Sequence, residues 1–258
     1  MIDSHIHLDD PRFDPIRDTV VASARAAGVT QFVVPAISVQ AFPRLKSVKE
    51  KYPGVFAAYG LHPYFIDQHR EGDIAVLDEW LQREKPVAVG ECGLDFYLPG
   101  LKGQKQRQES LFLHQLELAK KHRLPVVIHA RKAVPRVLDC LKEVDYYRAE
   151  IHSYSASLEL TRQVLDAGLK LGFGGAVTRP NARRLHAVVS YVPDEAILLE
   201  TDAPDQPPWE HRGELNKPEY LPGIAQFIAR VRGQDVGALV QQADANARTL
   251  FALPQAQD

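Results

Sequence analysis

The chain has 258 residues, with 31 Lys and Arg against 33 Asp and Glu for a formal net charge of -2; 45% of it is hydrophobic and 25% charged. That length suits two small domains or one large α/β barrel, the apolar content excludes general disorder, and the charge balance excludes a protein that coats nucleic acid by bulk electrostatics. Cys92 and Cys140 are too few for a disulfide framework and wrongly spaced for a metal-binding pair; with no signal peptide and no bilayer-length apolar run, a cytoplasmic enzyme without membrane contact is expected.

In chain order, apolar runs predict strands at 1–6, 30–35, 54–60, 86–91, 124–129, 148–152, 168–173 and 195–201. "QFVVPA", "VFAAYG" and "LPVVIHA" are short and rich in β-branched or small residues, as suits strands covered on both faces. Amphipathic stretches lie between them. The longest, at 106–122, sets Leu111, Gln115, Leu118 and His122 near helical spacing. "SLELTRQVLDAG" opens on an N-cap candidate, Ser157, and closes at Gly168, while "NARRLHAVVSYV" opens on Asn181. An eightfold β-then-α alternation points to a single (β/α)8 TIM barrel over residues 1–258. A doubly wound sheet is the rival, but His and Asp, not a glycine loop, follow the first strand. Only 251–258, closing on "PQAQD", reads as a loose tail. The Pro-rich loop "APDQPPWEHRGELNKPEY" is placed to cover a site.

The polar residues then fall into register. His5 and His7 end strand one, His62 follows strand three, Glu91 ends strand four, His129 strand five and His152 strand six, and Asp202 follows strand eight. In a barrel those ends meet at one mouth, and the period of two turns His5 and His7 to the same side. Imidazoles and carboxylates suit zinc, manganese, nickel or cobalt, and magnesium less selectively. Six protein groups exceed the needs of one catalytic ion, so two divalent ions sharing Glu91 are expected. His5, His7, Glu91 and Asp202 would hold one, and Glu91, His129 and His152 the other.

Other residues have a plainer reading beside the functional one. Asp9 and Asp10 cap the coming helix or face water, and Asp95 is open between loop support and site contact. Glu200 reaches the same side as Asp202 or makes a bond behind the ligands. Cys92 points away from the site as a small packed side chain. Arg131 is the best phosphate clamp, since a guanidinium grips two phosphate oxygens, and Arg179 and Lys217 are outer candidates. Gly172, Gly174 and Gly175 let a ligand approach the backbone or serve a tight turn. Tyr64, Phe96, Tyr97 and Trp209 are open between packing and base stacking.

Several motifs in fixed order, "IDSHIHLD", "YGLHPY", "AVGECGLDFY", "LPVVIHAR", "EIHSYSAS", "GFGGAVT", "LLETDAPDQPP" and "NARTLF", resemble the TatD family of metal-dependent hydrolases, in the wider amidohydrolase-like group. The likeness covers essentially the whole chain. It implies a TIM-like barrel with a one- or two-ion site at its mouth and deoxyribonuclease activity of 3′-to-5′ exonuclease character. By matching motifs it implies His5, His7, Glu91, His129, His152 and Asp202 as metal ligands, His62 as a contact to phosphate or water, and Glu200 as the acid of the "ETD" run. "HSYSAS" departs from the family's usual turn, with Tyr154 in place of Phe and Ala156 in place of Gly, which would remove a residue permissive for positive φ. Asp202 would accept the nucleophile's proton while His62 and Arg131 steady the phosphate, the substrate being a DNA 3′ end met by a monomer. The alternative is a metal-dependent hydrolase of a small phosphoester, an amide or a lactone.

Overall fold

A computed structural model describes residues 1–255. Its strands are β1 (Ile2–Asp3), β2 (Gln31–Pro35), β3 (Val55–Tyr59), β4 (Ala88–Asp95), β5 (Val126–Arg131), β6 (Ala149–Ile151), β7 (Lys170–Phe173) and β8 (Ile197–Leu199). Each pairs in parallel with the next in sequence, in the order β1 to β8. Parallel neighbours need a crossover, and the chain supplies α1 (Arg17–Ala26), α2 (Phe42–Lys51), α3 (Asp73–Glu84), α4 (Lys105–His122), α5 (Val134–Val144), α6 (Leu158–Asp166), α7 (Arg183–Tyr191) and α8 (Leu221–Arg232). This is the expected (β/α)8 barrel. Backbone and side chain draw its ends together: Ser4 N donates to Leu199 O at 3.0 Å, and the Asp3 carboxylate accepts from Thr201 N at 2.9 Å and Thr201 Oγ1 at 2.6 Å.

The helices bury stripes set by their sequences. On α5, Val134, Val137, Cys140 and Leu141 share one face, and all four are buried. Ser157 caps α6 as expected, accepting from Leu160 N. Asn181 does not cap α7, which begins at Arg183 after an uncapped Ala182. On α4 the buried face is Gln108, Phe112, Gln115, Leu116, Leu118 and Ala119, with Leu111 half-buried against the core beside it, whereas His122 turns out to Asp78.

The strand limits differ from the sequence reading in ways that matter. β1 stops at Asp3, so His5 and His7 lie beyond it, held by Ile6 N to Val33 O, His7 N to Ala203 O and Asp202 N to His5 O. β4 runs past Glu91 to Asp95, with an irregularity between Val89 and Cys92, and β5 continues past His129 to Arg131.

The expected loose tail is also corrected for 251–255. An additional helix, α9 (Val236–Phe251), brings Ala247, Leu250 and Phe251, with Leu253, against Ile2, Val33, Ala58, Ala88, Val127 and Leu198 inside the barrel. Gln31 Nε2 then donates to Pro254 O at 3.0 Å. The apolar area covered there outweighs the polar composition of the last residues. The rest of that tail, 256–258, lies outside the described residues. Among the described residues no helix is long and apolar enough to cross a membrane.

Candidate metal centre

The strand ends on the opposite side from α9 bring the six predicted ligands together. His5 Nε2 stands 3.3 Å from Glu91 Oε2 and 3.6 Å from Asp202 Oδ1. His7 Nε2 lies 3.4 Å and 3.6 Å from the same two atoms and 3.4 Å from His5 Nε2. Donors about 2.0–2.1 Å from a tetrahedral ion are separated by about 3.3–3.4 Å, so His5, His7 and Asp202 are spaced to hold one ion, with Glu91 Oε2 next to both imidazoles. On the other side of the same carboxylate, Glu91 Oε1 lies 2.8 Å from His152 Nε2 and 3.1 Å from His129 Nδ1, which are 3.2 Å from each other. These spacings are nearer the roughly 3.0 Å edge of a six-coordinate ion at about 2.1 Å. Glu91 thus turns one oxygen to each set.

For His7 and His129 the second ring nitrogen fixes where the proton sits. His7 Nδ1 faces Pro35 O at 3.3 Å, which leaves Nε2 free to ligate. His129 Nε2 faces Asp95 Oδ2 at 3.0 Å, so its proton sits there and Nδ1 is the ligating atom. Asp95 Oδ1 accepts from Tyr97 N and Leu98 N, at 2.9 Å and 3.0 Å. Asp95 therefore does both things the sequence left open: it supports the loop and aims His129. His62 is different. Its Nδ1 accepts from Tyr64 N at 3.0 Å, so the neutral ring carries its proton on Nε2, 2.9 Å from Glu91 Oε1. It is a donor beside the second set, not a ligand in it. Burial pushes His62 down to about 4, which keeps that ring neutral. Burial also opposes ionisation of Glu91, but the imidazoles that face it outweigh burial and hold the carboxyl well below its usual range.

A buried scaffold, largely invisible in the sequence pattern, holds these groups. Gln115 on α4 accepts from Leu61 N at 2.7 Å and donates to Leu61 O at 3.1 Å, next to His62. Gln108, two turns earlier, does the same for Asp95 N and Asp95 O, at 2.8 Å and 3.2 Å. His69 Nε2 faces His62 O at 2.9 Å. Gln206 donates to Asp202 Oδ2 and joins Ser153 Oγ. Glu200 is fully buried behind His152, with Oε1 accepting from Ser153 N at 2.6 Å and lying 3.9 Å from His152 Nδ1. Burial and then Glu150 push its carboxyl well above the usual range. Gly172 leaves room for it, since a Cβ there would lie 2.0 Å from Glu200 Oε2, and a Cβ on Gly175 would lie 2.2 Å from Gln206 O. These glycines admit parts of the protein itself. In "HSYSAS" the positive φ falls on Ser153, not on Ala156, so the expected loss of turn freedom does not arise. Tyr154 is buried, with its hydroxyl bonded to Thr161 Oγ1 at 3.1 Å. Cys92 is buried against Val127 O, as expected, and Asp10 caps the turn that follows it by accepting from Arg12 N.

Comparison with known proteins bears on this arrangement. The family model described as TatD related DNase matches residues 2–252. The chain belongs to the TatD family. It is 35% identical to the metal-dependent hydrolase YjjV of Escherichia coli K12 over 98% of both chains, and the crystal structure of that TatD homolog superposes with a TM-score of 0.94. It is 33% identical to the 3′-5′ ssDNA/RNA exonuclease TatD of Erwinia billingiae, covering 98% of this chain and all of that one. The chain is thus a metal-dependent hydrolase of the TatD family.

Around the mouth of this TatD barrel the three predicted cations differ. Arg131, at the end of β5, donates to Tyr64 Oη at 3.0 Å and lies over the Tyr97 ring at 4.0 Å. Lys217 is drawn to Glu219 at 3.5 Å and lies over Tyr220. Arg179 is exposed after the short helix Gly175–Thr178, and no hydrogen bond or ion pair among the described residues ties it to the centre. The structure therefore brings Arg131, and not the other two, into contact with residues of the site.

Proposed function

We propose that this hydrolase cleaves phosphodiester bonds at the 3′ end of DNA, with 3′-to-5′ exonuclease character, using two divalent ions. The observation that carries the reading is Glu91, whose two oxygens serve two donor sets at one mouth. The name of the Erwinia billingiae relative, a 3′-5′ ssDNA/RNA exonuclease, supports the substrate class. His5, His7, Glu91 and Asp202 would hold one ion, and Glu91, His129 and His152 the other. When bound, such ions lower the pKa of a water and neutralise charge on a phosphoryl group.

The chain's own residues do the rest. Asp202 is the proton acceptor for the attacking water: burial raises its carboxyl, and Gln206 holds Oδ2 while Oδ1 faces the first donor set. His62 presents its Nε2–H at the second set as a hydrogen-bond donor to a phosphoryl oxygen. Glu200, buried behind His152, does not meet substrate; it holds the Ser153 backbone next to that ring. Arg131 presents a guanidinium to a nonbridging oxygen, while Arg179 and Lys217 act as outer contacts to a longer strand. In this reading the enzyme works as a cytoplasmic monomer.

The test uses protein stripped of metal and refilled in turn with zinc, manganese, magnesium, nickel or cobalt. Each form is incubated with 5′-labelled single-stranded DNA, the matching RNA, small phosphodiesters, amides and lactones. Stepwise shortening from the 3′ end, lost in Asp202→Asn, is the expected result. Turnover of amides or lactones alone would overturn it.

A further inference from the structure

The rim beside the second donor set carries an arrangement of which the chemistry above uses only Arg131. Tyr64 is 38% exposed and Tyr97 49% exposed, both large rings open to water at the mouth of the barrel. Single exposed aromatics are common on protein surfaces, but these two are tied together by one cation. Arg131 donates to the Tyr64 hydroxyl at 3.0 Å and lies over the Tyr97 ring at 4.0 Å. No carboxylate among the described residues pairs with Arg131, although many of the chain's other surface cations are paired, such as Arg12 with Asp205. A guanidinium over one tyrosine ring, bonded to the hydroxyl of another and without a carboxylate partner, keeps several N–H donors and its charge for something outside the chain.

The position is set by the catalytic scaffold itself. The Tyr64 ring packs edge-on to His129 at 5.0 Å and to His62 at 4.7 Å. The Tyr97 backbone N–H donates to Asp95, which also holds His129. Arg131 follows His129 by two residues on the same strand. An occupant of this rim therefore lies next to whatever group is at the second donor set.

Resting on the nuclease reading above, we propose that Tyr64, Arg131 and Tyr97 form a subsite for one nucleotide of a single strand beside the scissile phosphate. A base stacks on the exposed face of Tyr97, and Arg131 binds the adjoining phosphate. Both interactions act on features common to every nucleotide, so the subsite accepts any base. A duplex end keeps its bases stacked on each other, so the subsite favours single strands.

The experiment measures binding apart from cleavage. Fluorescence anisotropy follows a labelled, cleavage-resistant phosphorothioate single strand on the zinc-loaded protein across a range of salt, for the native chain, Tyr97→Ala, Tyr97→Phe and Arg131→Gln. Tyr97→Ala should weaken binding about tenfold, in the range found when one stacking ring is removed, with the salt slope unchanged, and Tyr97→Phe should restore it. Arg131→Gln should weaken binding and make the salt slope shallower by about 0.7, the value for one phosphate contact on a single strand. An oligonucleotide lacking the base on one side of the scissile bond should be insensitive to Tyr97→Ala. Equal binding by the native chain and Tyr97→Ala, or no binding by the native chain, overturns the subsite whatever the enzyme cleaves. Binding that follows this pattern without 3′ shortening upholds the subsite and defeats the nuclease reading instead.

Discussion

Replacing Asp95 by Asn isolates one imidazole of the centre. Asp95 Oδ1 accepts two backbone N–H groups, and Asn can keep both with its own oxygen. The atom facing His129 Nε2 at 3.0 Å then becomes an NH₂ group, a donor set against a donor. His129 relieves this by moving its proton to Nδ1, the atom that faces Glu91 and His152. A protonated Nδ1 cannot ligate. Removing such a partner behind a ligand costs about 10–100-fold in metal affinity, or roughly 1.4–2.7 kcal/mol at 1.36 kcal/mol per tenfold. The loss should fall on one ion only, because His5, His7 and Asp202 do not touch Asp95. Competition against a chromophoric zinc chelator should show two sites in the native chain. In Asp95→Asn one site should be unchanged and one weakened at least tenfold, with hydrolysis regained at high metal. If both sites keep their affinities, the proton assignment at His129 is wrong.

Further perturbations reach other levels of the structure. In metal-free protein, burial works against charge on His7 and His129, yet the attraction of Glu91 with Asp202 lifts His7 to about 10, and that of Asp95 with Glu91 lifts His129 to about 9. Both folded values exceed the unfolded 6.5, so their stabilisation is complete below about pH 6.5 and is lost as pH rises through 9–10. Thermal melts in chelator should therefore fall over that window, and the rise in Tm on adding zinc should grow; a flat metal-free profile would contradict this. Phe251→Ala opens a void beneath the barrel and should cost about 3–5 kcal/mol in urea unfolding; a loss below 1 kcal/mol would mean α9 is not part of the core. Gly172→Ala puts a Cβ 2.0 Å from a Glu200 oxygen that is too buried to swing away. It should cost about 1–3 kcal/mol and weaken metal binding at His152, measured by melting and by the same zinc competition.

The barrel and its ligands were legible because both follow from local rules. Short β-branched runs alternate with amphipathic helices, and four of the six candidate ligands sit just past a strand end, with Glu91 and His129 inside β4 and β5. What the sequence hid depends on partners distant along the chain. The proton on His62 is placed by the Tyr64 backbone, and Gln108 and Gln115 resemble ordinary helix surface until α4 is docked on β4. The glycines of "GFGGAVT" made sense only once Glu200 and Gln206 were seen against them. "PQAQD" reads as tail because its composition is polar, whereas Phe251 and Leu253 just before it fill the floor of the barrel. Asn181 has a capping side chain, but α7 starts two residues beyond it, at Arg183.

The first donor set draws His5 and His7 from just after β1 and Asp202 from just after β8, so it lies across the seam where the sheet meets itself. During synthesis a ribosome would release the two histidines almost at once and the aspartate only after every strand had emerged. A growing chain thus has no complete first set until the ring shuts, whereas Glu91, His129 and His152 can assemble from neighbouring strands beforehand. Completion of the first set would act as a signature of closure, and a chain permuted to start between β4 and β5 should complete its two donor sets in the opposite order.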